Sequence, residues 1–148
     1  MIPAMVQKTC QARRRATLLL FLAAAAAPQL ACSQPPPADK ASLDEARSLH
    51  EAGQALLVDI RESDEHATGV AAGALLLPMS QLRQRINELP ADASRPVLLI
   101  CHTQSRSSAT LRALRQRGYG HVRYVHGGMR DWARRGWPMV RPPVATPR

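Results

Sequence analysis

Four short apolar runs alternate along the chain with stretches of helical period. They are Ala55 to Ile60, Leu75 to Leu77, Val97 to Ile100 and Val122 to Val125, and each reads as a buried strand. Ser42-Leu43-Asp44-Glu45 fits a capping box, which predicts a helix with Leu43, Ala46, Leu49 and His50 on one face and Gly53 at its end. Arg61 to His66 predicts a charged loop or short helix, punctuated by Gly69 and Gly73. Ser80 is placed to cap a helix carrying Leu82, Ile86 and Leu89 inward, with Pro90 as its stop. A further helix is predicted from about Ser105, burying Ala109, Leu111 and Leu114 and closing at Gly118. Gly127-Gly128 predicts a turn, and Met129 to Arg135 a short helix with Trp132 on its apolar side. From Pro142-Pro143 the pattern stops, and residues 141–148 are expected to form a mobile tail.

Strands alternating with helices predict an α/β domain with a mainly parallel sheet. In such sheets ligands sit beyond the carboxyl ends of the strands. The run Val97 to Ile100 ends there on Cys101, followed by His102-Thr103-Gln104-Ser105-Arg106-Ser107. A strand that stops at a nucleophile and turns into a helix is suited to handling anions. The strand fixes the cysteine, and the helix N-terminus supplies backbone N–H groups and the positive end of the dipole. The reactive form of a cysteine is the thiolate, which such a field favours.

Charge adds direction. The 148 residues carry a formal net charge of +9, but Lys8, Arg13, Arg14 and Arg15 lie in an N-terminal segment expected to be removed. Between Cys101 and Arg148 there are ten Arg and one acid, Asp131, whereas acids outnumber bases between Cys32 and Ile100. The basic half therefore contains the Cys101 loop. Two readings stand: steering of a small anion, or an Arg-rich solvated surface. No motif and no interleaved aromatics accompany the charge, so nucleic acid is not an expected partner.

The N-terminus reads as an address. Lys8 to Arg15 is basic, and Ala16 to Ala27 is apolar and short for a membrane span. Gln29-Leu30-Ala31-Cys32 resembles a bacterial lipobox, with Gln29 and Leu30 as departures. Residues 1–31 are thus expected to be a signal peptide of lipoprotein type, and Cys32 the lipidated residue. The alternative is cleavage within the alanine run to give a soluble periplasmic protein. Residues 32–40 form a Pro-rich linker, whose Pro35-Pro36-Pro37 favours polyproline II and a stiff spacer of about 20 Å. The expected location is exported, periplasmic and lipid-anchored. Cys10 leaves with the signal and Cys32 is in the tail, so the folded part holds one cysteine, Cys101, without a disulfide partner. The five His are scattered and no second Cys pairs with Cys101. Neither a metal site nor a cofactor is expected.

Residues 41–140 resemble a single-domain rhodanese, a sulfurtransferase, and among these the small periplasmic members that include the phage shock type. The resemblance is carried by Val58-Asp59-Ile60-Arg61-Glu62, by Gly69 to Ala74 with Leu77-Pro78, and by the loop Cys101 to Ser107. Gly118-Tyr119, Gly127-Gly128-Met129-Arg130-Asp131-Trp132 and Gly136-Trp137-Pro138 complete it. It implies a five-stranded, mainly parallel sheet flanked by helices. It implies that Cys101 takes sulfane sulfur from thiosulfate or a persulfide and passes it to a thiophilic acceptor. The loop His102, Thr103, Gln104, Ser105, Arg106 and Ser107 would bind donor and persulfide. Arg106 would pair with a sulfonate or brace the loop, and Asp59 and Arg61 would form a structural buried pair near the site. The implied partners are a small anionic sulfur donor and a thiophilic acceptor, with a thiol protein as another acceptor.

Loop length discriminates within the superfamily. Four residues separate Cys101 from Arg106, as in the sulfurtransferases that the chain resembles. Phosphatase and arsenate reductase relatives have one residue more, which widens the cradle to fit a tetrahedral oxyanion. Three positions depart from the family pattern: Gln104 and Val70 stand where Gly and His are usual, and Ala72 where Pro is usual. A positive φ at Gln104 would cost about 1 kcal/mol. An alternative role is a rhodanese-like module that carries persulfide or docks a partner without turnover. A thiol redox protein is a third reading, against which stands the absence of a Cys-x-x-Cys pair.

Overall fold

The computed structural model describes residues 39–91 and 93–142. The proposed signal, Cys32, nearly all of the linker and the end of the tail lie outside the described residues. No helix among the described residues is long and apolar enough to cross a membrane.

The central strands are β2 (Leu56–Asp59) and β5 (Val97–Ile100), in parallel register with Val58 opposite Leu99 and Asp59 opposite Ile100. Their apolar runs are continuous because both faces of the sheet are covered. All four β5 residues are buried. β6 (Val122–Val125) flanks β5, β4 (Leu75–Leu76) flanks β2, and β1 (Lys40–Ala41) lies beyond β6, giving the order β1-β6-β5-β2-β4. All four pairings are parallel. The α/β fold with a five-stranded parallel sheet flanked by helices is thus the one expected. The apolar pattern supplied four of the five strands. β1 was missed because it has no apolar run and begins at Lys40, inside the linker read from the sequence. β3 (Val70–Ala71) pairs antiparallel with β7 (Met139–Val140) in a separate ribbon.

Side-chain alternation along β5 divides the core into two layers. Leu98 and Ile100 face α1 (Leu43–Glu51) and α5 (Gly128–Arg134), packing with Leu43, Ala46, Met129 and Trp132. Val97, Leu99 and Cys101 face the opposite way, packing with Leu111 and Leu114 of α4 (Ser105–Arg115). Parity therefore assigns the cysteine to the α4 side. α1 starts as its sequence requires: Ser42 Oγ accepts from Glu45 N–H at 3.1 Å, and Ser42 N–H donates to Glu45 Oε2 at 3.4 Å. α2 (Ser63–Ala67) fills the charged stretch after β2.

Two helix expectations need correction. Ser80 is not an N-cap. It lies within α3 (Met79–Leu82), which starts after Pro78, and its hydroxyl donates to Glu62 Oε2 at 2.7 Å. α3 is short, and Ile86–Glu88 forms a separate 3₁₀ turn before Leu89 becomes extended, the conformation favoured before Pro90. In α4 the buried face is Ser107, Thr110, Leu111 and Leu114, while Ala109 is exposed. The i, i+3, i+4, i+7 spacing of these four sets the phase, and Ala109 falls outside it.

Candidate active site

Cys101 follows the last residue of β5 and is 1% exposed. It is a free thiol. Its Sγ donates to Ser107 Oγ at 3.5 Å, and the Ser107 hydroxyl donates to the Gln104 carbonyl at 3.2 Å. Ser107 is itself fully buried. The loop between them turns the chain from β5 into α4, so the cysteine and the first turn of an 11-residue helix share one end of the sheet. The N–H groups of that first turn have no intrahelical acceptor.

Three of the loop's carbonyl groups, those of Cys101, His102 and Gln104, accept hydrogen bonds from the chain itself. Met129 N–H donates to Cys101 O at 2.8 Å, and Arg130 N–H donates to His102 O at 2.9 Å. Ser108 N–H donates to Gln104 O at 2.9 Å. The start of α5 thus absorbs negative ends of peptide dipoles in the loop. This docking requires Gly128. Its φ is +66°, and a Cβ there would lie 2.3 Å from Thr103 O, 2.5 Å from Cys101 O and 2.6 Å from His102 O. These neighbours are backbone atoms, which cannot swing aside.

Gln104 corrects an expectation. Its φ is −161°, so the positive φ that would penalise Gln where the family pattern has Gly is not required. Its side chain instead makes a contact that glycine cannot: Gly127 N–H donates to Gln104 Oε1 at 3.2 Å. Thr103 and Ser105 meet locally, Ser105 N–H donating to Thr103 Oγ1 at 3.5 Å. His102 is exposed.

Arg106 projects from the first turn of α4 onto α2. Its Nη1 and Nη2 donate to Glu65 Oε2 and Oε1 at 2.5 and 2.6 Å. This bidentate geometry is that of a brace between two elements. The Arg106 hydrogen bonds hold the Glu65 carboxyl down at about 2, well below its ordinary 4.5, against a smaller opposing effect of burial. Arg106 in turn holds its proton more firmly than usual, chiefly through Glu65, with lesser contributions from Cys101 and Asp59. Glu65 was missed from the sequence. It lies 41 residues before Arg106, and nothing in the local pattern separates it from its acidic neighbours.

Asp59 and Arg61 form a buried pair beside the site, with Asp59 0% and Arg61 3% exposed. Arg61 Nε lies 2.9 Å from Asp59 Oδ2, and Nη2 lies 2.6 Å from the same oxygen. The remaining Arg61 donors reach Gly69 O at 2.8 Å and Glu65 O at 3.2 Å. The pair thus ties β2 to α2 and the segment after it. Burial alone would raise the Asp59 carboxyl, but His66 and Arg61 outweigh it and hold it below its ordinary range. His66, also missed, is buried with Nε2 3.5 Å from Asp59 Oδ1. Of the other departures, Val70 is buried and pairs with Val140. The Ala72 carbonyl lies 2.8 Å from His50 Nε2.

Comparison with known proteins bears on the family and the fold. The family model described as the rhodanese-like domain matches residues 42–135. A protein named sulfurtransferase from Allochromatium vinosum is 40% identical over 97 residues, covering 66% of this chain and 89% of that protein. The human thiosulfate:glutathione sulfurtransferase is 33% identical over 107 residues, covering 64% and 93% respectively. Among solved structures, a rhodanese-related protein from Thermoplasma volcanium superposes with a TM-score of 0.63 at 26% identity, covering 71% of this chain and all of that one.

The Glu65–Arg106 pair carries a pH dependence. Because the folded pKa of Glu65 is about 2 and its ordinary value 4.5, the pair stabilises the fold above that ordinary value. That stability is lost as pH falls from about 4.5 towards 2. Glu65→Gln should flatten the acid limb of the stability curve in that window, measured by urea unfolding at a series of pH values. An unchanged acid limb in the variant would remove the pair from the account.

Proposed function

Since the chain belongs to the rhodanese-like domain family, we propose that it is a sulfurtransferase that carries sulfane sulfur on Cys101. The observation that supports this most is the six-residue turn from Cys101 to Arg106, with its first two carbonyls spent on α5 and its arginine spent on Glu65. With Arg106 engaged, an anion at the cysteine meets backbone N–H groups and the N-terminus of α4. A nucleophile only 1% exposed favours a donor whose reacting atom is small and terminal, such as the outer sulfur of thiosulfate.

Two displacements complete the cycle. The Cys101 thiolate attacks the outer sulfur of thiosulfate. The S–S bond of the donor breaks, its electron pair leaves on sulfite, and a persulfide anion remains on Cys101. A thiophilic acceptor, cyanide or a thiolate, then attacks the terminal sulfur. The bond between the two sulfurs breaks, and the Cys101 thiolate returns. No proton has to move in either displacement, so His102 and His126 are not required. The human relative's name joins thiosulfate to glutathione, which supports a small thiol as one acceptor here. Four residues between Cys101 and Arg106 favour a cradle for a sulfur atom over one for a tetrahedral oxyanion.

We further propose that the protein works outside the cytoplasm, held to a membrane through a lipid on Cys32. The support is the basic and apolar N-terminal pattern and the Leu30-Ala31-Cys32 match. The wild type should then sediment with membranes and Cys32→Ala should not. Recovery of both in the soluble fraction would overturn the anchor.

The catalytic assignment is tested by thiocyanate release from thiosulfate and cyanide. The purified, reduced protein should turn over, and Cys101→Ser should lose all activity while keeping its thermal melt. A folded wild type with no turnover would move the assignment to another donor or to a persulfide carrier without turnover.

A further inference from the structure

Three hydrogen bonds hold the cysteine loop to the start of α5. Two use backbone carbonyls, those of Cys101 and His102, and depend on no side chain of the loop. The third uses the Gln104 side chain, whose Oε1 accepts from Gly127 N–H at 3.2 Å. The donor is a backbone N–H, so the amide oxygen must face it and the orientation of the amide is fixed. Gln104 also works through its own backbone. Its carbonyl accepts from Ser108 N–H and from the Ser107 hydroxyl. That hydroxyl in turn accepts from Cys101 Sγ. A single residue thereby links the partner of the sulfur, the first turn of α4 and the N-terminus of α5. Its φ of −161° means that the loop takes this shape without a positive φ at this position.

Cys101 is 1% exposed, so a reagent larger than one terminal atom needs the loop to move before it meets the sulfur. We propose that Gln104 is a positioning residue whose side chain latches the cysteine loop onto α5 and so sets how often Cys101 becomes accessible. Access in this sense does not depend on sulfur transfer. Its consequence for transfer rests on the reading above: a latched loop favours small acceptors over protein thiols.

The test compares Gln104→Met, which keeps the length and loses the acceptor, with Gln104→Glu, which keeps an acceptor at the same reach. Alkylation of Cys101 by iodoacetamide is followed on the Cys101 peptide of the full chain. It is read at the plateau of the pH–rate profile, where a shifted thiol pKa no longer affects the rate. Exchange of the Gly127 amide proton is followed in the same proteins. The latch predicts that alkylation rises about fivefold in Gln104→Met, the weight of one neutral hydrogen bond, with a similar loss of Gly127 protection. Gln104→Glu should restore both to within about twofold of wild type. Wild-type alkylation in Gln104→Met overturns the proposal, whether or not Gly127 exchange changes. Gln104→Gly gives the same reading if the Met variant does not fold. Alkylation uses no sulfur donor, so failure of the latch and failure of sulfur transfer are separate results.

Discussion

The carbonyl oxygens of Cys101 and His102 accept hydrogen bonds from the first turn of α5, and the remainder of the site depends on that docking. A tight turn around a nucleophile carries as many acceptors as donors, and an acceptor aimed at an anion repels it. Handing carbonyls to the N–H groups of Met129 and Arg130 disposes of part of the problem. The close approach is possible only because Gly128 has no Cβ and accepts a φ of +66°. Gly128→Ala would drive a methyl group into three backbone oxygens. In this way a glycine some two dozen positions downstream governs the electrostatics at the cysteine.

The sheet supplies the rest of the rigidity. β2 and β5 are buried on both faces and run in register to Asp59 and Ile100. The chain then leaves β2 for α2 and β5 for the Cys101 loop. Each departure is pinned by an arginine: Arg61 turns back onto Asp59, and Arg106 reaches across to Glu65 on α2. Removing one partner of the buried Asp59–Arg61 pair would leave an uncompensated charge, which is costly. The half-exposed Arg106–Glu65 pair contributes less, because solvent screens it. Its value is geometric, in holding α4 and its N-terminus against α2. Both arginines thereby act on the site through the backbone around it.

Cys101 was legible because it follows a run of four apolar residues and precedes a helix start. Those are local signals, and the capping box at Ser42 was legible for the same reason. The sheet was legible in the four strands that lie in apolar runs and not in Lys40–Ala41, which has no run to detect. Long-range pairing was hidden. Glu65 and Arg106 meet only after β2 and β5 have paired, and Ser80 surrenders its capping role to Glu62, 18 residues earlier. Ala109 failed as a core residue because an alanine weighs little against the phase set by Leu111 and Leu114. At Gln104, the cost expected of a positive φ was absent, since φ there is negative and the side chain gains an acceptor role.

The central claim is that sulfur rides on Cys101, and mass spectrometry of the intact protein tests it most directly. The reduced wild type is mixed with thiosulfate and desalted, and the Cys101 peptide is then mapped. The expected result is a gain equal to one sulfur atom, located on Cys101, lost on adding cyanide and absent from Cys101→Ser. A wild type that turns thiosulfate over without ever carrying that extra sulfur would contradict it.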